Sequence, residues 1–190
     1  MALPAARPWA PDATLVLDLA LDEAAGRDHR WIGTAHLLRA VVRADGPQAG
    51  LLAAAGVTDR GSDVALTLAV WTAAGEPDPS GPPGPPTANE AVHEVLAAAV
   101  EHAVQEGHDT VGASDLLAAL LGRREGQAAD MLVTLGADAQ RLTDALAGLD
   151  ALTAPSVPEV AFRPSPTRRL VPRDPGGLLS SAWRDVARSA

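Results

Sequence analysis

Apolar residues near the start of the chain fall at Ala13, Val16, Leu17, Ala20, Leu21 and Ala24, the stripe of a helix that buries one face. Pro11 and Asp12 suit its first turn, and Gly26 ends it. Thr34 is read as the cap of a second helix, Ala35 to Arg43, with Leu37, Leu38, Val41 and Val42 facing inward. Gly46 interrupts the pattern. A third segment, Gln48 to Ala55, carries Leu51 and Leu52 and stops at Gly56, and a fourth runs from Ser62 to Ala74 with Val64, Leu66, Leu68 and Val70. Nothing in this half, or in the rest of the chain, alternates as a strand would.

The same order then returns. Residues 13–57 and 92–137 align at an offset of 79: Val16, Leu17, Ala20 and Ala24 fall on Val95, Leu96, Ala99 and Ala103, His29 on His108, Gly33 on Gly112, and Leu37 and Leu38 on Leu116 and Leu117. After one inserted residue the offset becomes 80, and Gly46, Ala49, Leu52 and Gly56 match Gly126, Ala129, Leu132 and Gly136. The second set of helices is therefore placed at Asn89 to Glu106, Ser114 to Leu121, Gly126 to Leu135 and Ala139 to Leu149. Recurrence of apolar positions, glycines and a histidine predicts two similar four-helix units, each needing the other to cover its apolar face.

The expected fold is all-α, a pseudo-twofold bundle of about eight helices with a flexible C-terminal tail. Residues 1–150 form the double-repeat domain, with repeat one at about 9–74, a linker at 75–87 whose proline and glycine content lets no regular element persist, and repeat two at about 88–150. Residues 151–190 are a tail rich in proline and arginine, expected to be mostly disordered, with one short helix at 178–188 containing Trp183.

Composition narrows the chemistry. The 190 residues are 47% hydrophobic, enough for a packed core without a metal or disulfide. Cysteine is absent, which excludes thiolate metal sites and thiol nucleophiles. All fifteen basic residues are arginine, so neither a phosphate-binding loop ending in Gly-Lys-Ser/Thr nor a lysine Schiff base can form. The net charge of −9 is uneven: residues 1–150 hold 21 acidic and 9 basic groups, and residues 151–190 hold 3 and 6. An acidic body repels a phosphate backbone, which disfavours nucleic acid as a partner. The acidic polar faces of the helices also argue against a membrane surface, and no apolar run is long enough to span a bilayer. With no secretory pattern at the start, a soluble cytoplasmic protein is the expectation.

The segments His29-Arg30-Trp31-Ile32-Gly33-Thr34-Ala35-His36-Leu37-Leu38 and Gly107-His108-Asp109-Thr110-Val111-Gly112-Ala113-Ser114-Asp115-Leu116-Leu117 resemble the GH-x-x-[IV]-G-T-E-H-[IL]-L signature of the Clp N-terminal repeat. The resemblance covers roughly residues 9–150 and includes the duplicated layout. It implies the fold of the N domain of ClpA, ClpB and ClpC unfoldases, which receives substrates and adaptors, in a chain without their nucleotide-binding modules. The acidic residue that holds phosphoarginine in the ClpC branch is replaced by Ala35 and Ser114, so that recognition is not carried over; a guanidinium needs a carboxylate for a paired bond. Cyclic peptide antibiotics bind ClpC relatives across the starts of the first and fifth helices. Those stretches correspond here to Trp9 to Asp12 and Asn89 to His93, with the second aromatic missing from Pro86-Thr87-Ala88.

Other candidate chemistry dissolves under comparison of the copies. His29 and His108 are equivalent, and a histidine bonded to backbone in a repeated turn explains them better than a metal pair. His36 and Asp115 occupy one position, read as surface polarity in a first helical turn. Glu90 and His93 form a single E-x-x-H element, where a di-iron bundle needs two plus further glutamates. No G-x-S-x-G turn surrounds a serine. Trp71 is expected in the core, and Trp9 and Trp31 partly exposed.

The expected function is a non-enzymatic module without cofactor or metal. It binds peptide segments or partner proteins through the groove between repeats, as an adaptor or competitor in Clp-dependent proteolysis. Its partners would be Clp components or their clients. The contact residues would be Trp9, Asp12, Asn89, Glu90 and His93, with His29, Gly33, Thr34, His36, His108, Gly112, Ser114 and Asp115 building the repeated signature. The alternatives are sequestration of Clp-directed cyclic peptides and, more remotely, a metal-dependent helical-bundle enzyme.

Overall fold

The computed structural model describes residues 7–73 and 85–153, with the side chains of 70–73 and 150–153 outside the description. Among the described residues the chain forms eight helices: α1 (Pro11–Ala25), α2 (Thr34–Arg43), α3 (Pro47–Ala54), α4 (Asp59–Ala73), α5 (Glu90–Gln105), α6 (Ala113–Gly122), α7 (Gln127–Thr134) and α8 (Ala139–Thr153). Pro11 and Pro47 start α1 and α3, where a missing N–H costs nothing, and glycines stand at the N-caps of α2, α3, α6 and α7. Gly56 and Gly136 end the α3 and α7 turns at φ +86° and +69°, a conformation that favours glycine.

The periodic positions do face inward. Val16, Leu17, Ala20 and Ala24 are fully buried, and so are their mates Val95, Leu96, Ala99 and Ala103. Leu38 and Leu117, again equivalent, are both at 0% exposure, and each such side chain contributes about 1.5–3 kcal/mol on leaving water. Leu21, Val42, Leu51 and Val100 are only half-buried and lie against the edge of this core. Trp9 and Trp31 are partly exposed, whereas the side chain of Trp71 lies outside the described residues.

Two short strands correct the expectation of a wholly helical backbone. β1 (Trp31–Ile32), just before α2, pairs in parallel with β2 (Thr87–Ala88), just before α5. Trp9, just before α1, makes the equivalent bridge to Val111, just before α6. Asn89 N–H donates to the Ile32 carbonyl at 3.1 Å, and Ala10 N–H to the Val111 carbonyl at 2.9 Å; these two bonds superimpose under the offset of 79. Each half thus lends the segment before its first helix to the signature segment of the other, and the dyad is built from reciprocal backbone bonds. Two-residue pairings carry no alternation, which is why the sequence did not announce them. Pro86 is buried and Thr87 is hydrogen-bonded, so the expected linker ends before them; its residues 75–84 and the expected tail beyond 153 lie outside the described residues, the Trp183 helix included.

Helix packing repeats the symmetry. α1 packs on α2 and α5 on α6 within each half. Across the dyad α4 meets α7 as α3 meets α8, α1 meets α6 as α2 meets α5, and α2 touches α6.

Candidate functional site

The signature segments lie where the halves cross. Gly33 and Gly112 hold extended backbone (φ −108° and −98°) as N-caps, and the side chain three residues on reaches back to the cap: Gly33 N–H donates to His36 Nδ1 at 3.0 Å, and Gly112 N–H to Asp115 Oδ2 at 2.8 Å. The two copies solve one capping problem with different chemistry. His36 accepts at Nδ1, so its proton sits on Nε2 and is donated to His29 Nδ1 at 2.8 Å. Asp115 Oδ1 accepts from His102 Nδ1 at 2.8 Å and from His108 Nδ1 at 3.0 Å.

These contacts overturn two expectations. His36 and Asp115 are 0% and 1% exposed, interior groups and not surface polarity; His29 and Trp31 lie against the one, and His102 and His108 against the other. The imidazoles of His29 and His108 meet those two side chains and not the backbone. Burial pushes His36 down to about 4, helped by the neighbouring charges of His29 and Arg27. His29 is lowered as well, first by burial and then by Arg27. Its ring stacks on Trp31 at 6.1 Å between centroids, and His36 meets Trp31 edge-on at 5.7 Å.

Thr34 also plays a different part from the one its sequence position suggests. Gly33 is the cap of α2, and Thr34 Oγ1 instead accepts the Ala128 N–H at 3.2 Å, capping α7 from 94 residues away. Asp12 does the related service for the second copy, accepting the Ala113 N–H at 3.2 Å, and it also binds its own neighbour Ala13 N–H. Ala113 lies at the start of α6 with Asp115 supplying the bond to the cap, while Ser114 stays half-buried beside Gly112. Ala35, at the position that is acidic in the signature, is fully buried.

Between β1 and the starts of α5 and α7 lies a cleft of about 270 Å³ lined by Trp31, Thr34, Asn89, Ala91, Gly126 and Gln127. Three helix N-termini converge on it: α2 at Thr34, α5 at its cap Asn89, which accepts the Val92 N–H at 3.0 Å, and α7 at its cap Gly126. Each contributes partial positive charge and polar backbone. A Cβ on Gly33 would collide with the Gln127 side chain and stand 2.8 Å from Trp31 Cζ3, so glycine there lets the two halves close. Of the expected contact residues only Asn89 lines this cleft. Trp9 and Asp12 lie against Val111 and Ala113 of the second signature, Glu90 is exposed on the first turn of α5, and His93 is half-buried. Gln127 and Gly126 were missed, because nothing in their own neighbourhood of sequence shows that α7 faces Trp31.

A second group escaped the sequence reading. Glu23, 7% exposed, is held by Arg27 at 3.1 Å and by Arg43, with Arg39 at 3.6 Å. Arg39, 6% exposed, donates to Asp59 Oδ1 at 2.7 Å and Ser62 Oγ at 2.8 Å. Hydrogen bonding to Arg27 holds the Asp63 carboxyl below its usual range. This lattice ties α1, α2 and α4 together and has no counterpart in the second half, where His102, Ala118 and Gly122 replace Glu23, Arg39 and Arg43. Among the described residues, no group of three or more His, Asp or Glu is arranged to hold a metal ion.

Fold and cleft together define a duplicated helical module with a polar-backbone groove between its two halves. Residues 87–171 match the family model for the Clp repeat (R) N-terminal domain. The N-terminal domain of the caseinolytic protease associated chaperone ClpD from Arabidopsis thaliana superimposes with a TM-score of 0.60 at 22% identity, over 78% of this chain and 98% of that one. A structure from a preliminary structural investigation of a malarial protein secretion system does so with a TM-score of 0.60 at 17% identity, over 77% and 97%. The chain resembles the Clp N-terminal repeat family in fold and in signature, and its second half carries the family match.

Proposed function

We propose that the protein is a non-enzymatic binding module that engages an extended segment of a partner protein in the cleft between its repeats, as an adaptor or competitor in Clp-dependent proteolysis. The observation that carries this reading is the convergence of three helix starts and the Trp31 ring on one open cleft between the repeats. Backbone N–H groups at helix starts recognise carbonyls and carboxylates whatever the side chain, and an indole adds apolar area. That combination suits a binder of many sequences. The Clp resemblance supplies the setting, and the absence of a carboxylate at Ala35 and Ser114 points away from an arginine-based tag.

The test is a photocrosslinking pull-down from an actinobacterial-type lysate with the full chain carrying a photoreactive group at Gln127. The expected result is recovery of a Clp component or client, reduced by Trp31→Ala and unaffected by Arg141→Ala on the exposed face of α8. Recovery that ignores Trp31→Ala, or that contains no Clp component or client, overturns the proposal. A half-exposed Trp9 also leaves room for a cyclic peptide at the start of α1, and calorimetry with Trp9→Ala separates that sequestration reading from the first.

A further inference from the structure

The internal duplication supplies its own control for what a solvent-facing surface looks like in this fold. At an offset of 80, Leu66 and Leu146 are equivalent and both buried, so the neighbouring positions of α4 and α8 are comparable. On α8 and α3 the outward positions are Asp144, Gly148 and Ala53, polar or small and exposed. Their mates are Val64 on α4 at 55% exposure, Leu68 on α4 at 52%, and Val133 on α7 at 77%. Between α4 and α7 runs a groove of about 440 Å³, walled by Val64, Ala65 and Leu135 with Arg60 and Thr134 at its rim. The α4 wall of this groove is apolar and exposed where its mate on α8 is polar or small.

The chain itself contains a segment of matching character. At 100° per residue, Leu178, Leu179, Ala182, Trp183 and Val186 fall within a 140° arc, while Ser180, Ser181, Arg184, Asp185 and Arg188 occupy the opposite side. That is an amphipathic pattern with no assigned partner surface. The tail from 151 on holds 6 basic and 3 acidic groups, against 9 and 21 in residues 1–150, so the two attract. Asp130 is exposed on α7 one turn before Val133. Twenty-four residues separate Thr153 from Leu178, a reach of up to about 80 Å, roughly twice the width of a domain of this size.

We propose that residues 178–188 dock as an amphipathic helix in the groove between α4 and α7 of their own chain, with Trp183 against Val64 and Leu135. Tethering raises the effective concentration of the segment to about the millimolar range, so a modest apolar contact suffices. The docked tail covers the exposed apolar residues of α4, whose mates on α8 are Asp144 and Gly148.

The absence of cysteine makes the test direct. Paired variants of the full chain, Val64→Cys with Ala182→Cys and, as control, Asp144→Cys with Ala182→Cys, are oxidised mildly at low concentration and followed on non-reducing gels. Docking brings the first pair into disulfide range, and its intramolecular bond should form at least about ten-fold faster than in the control pair. Adding Trp183→Asp should abolish that advantage and leave the control rate unchanged. Equal rates in the two pairs, an advantage that survives Trp183→Asp, or disulfides that join two chains, which would assign the face to a second copy, each overturn the proposal.

Discussion

Asp115→Ala is the perturbation that tests the reading of the signature most directly. The carboxylate is 1% exposed and serves three donors: the Gly112 N–H at the cap of α6, His102 and His108. Losing the cap bond costs about 1 kcal/mol. The two imidazoles are 29% and 34% exposed, so their freed N–H groups regain water, and each lost bond costs about 0.5–1 kcal/mol. The expected loss is about 2–3 kcal/mol of unfolding free energy, read from urea midpoints with an unchanged slope. Asp115→His imports the first copy's solution, an imidazole that accepts the cap N–H as His36 does, and should recover about 1 kcal/mol of the loss. A loss below about 0.5 kcal/mol, or a His variant no better than Ala, would refute the argument that this side chain caps α6 and ties the two histidines.

Other consequences follow from single residues. His36 stays neutral in the fold down to about pH 4, whereas it takes up a proton near 6.5 when unfolded, so stability falls as pH drops from 6.5 towards 4; the contribution approaches about 3 kcal/mol, and His36→Gln, compared with the parent at pH 7 and 5 in urea, should lose most of that slope. Gly33→Ala should destabilise by about 2 kcal/mol or more by forcing Trp31 and Gln127 apart, while Gly50→Ala, with nothing within 4 Å and a place inside α3, should stabilise by about 0.5–1 kcal/mol in the same melts. Thr87→Pro removes the N–H that meets the Arg30 carbonyl at 3.1 Å and should cost about 1 kcal/mol; Thr87→Val keeps the N–H and should melt near the parent temperature.

The eight helices were legible because burial repeats every three to four residues in Val16, Leu17 and Ala20 as in Val95, Leu96 and Ala99, and amphipathic period is a local property. Duplication made the dyad legible too, since two units with one exposed stripe each satisfy it together. The site was less legible. His36 looked like a surface residue because its burial comes from the signature loop folding His29 and Trp31 back over it, and Thr34 looked like a local cap because its true acceptor role is on Ala128. In the Glu23 and Arg39 lattice, Arg39 lies 16 positions from Glu23 and 20 and 23 from Asp59 and Ser62, separations that no helical spacing reveals.

By itself, then, the order of residues determined the helices, their inward faces, the twofold repetition and the exclusion of thiol, lysine and P-loop chemistry. Tertiary structure alone decided which helix starts share the cleft at Trp31, which polar groups are interior, and which outer helix faces stay apolar. The division is physical: helix formation and amphipathicity are set within one or two turns, whereas desolvation and hydrogen-bond partnership depend on what the rest of the chain brings alongside.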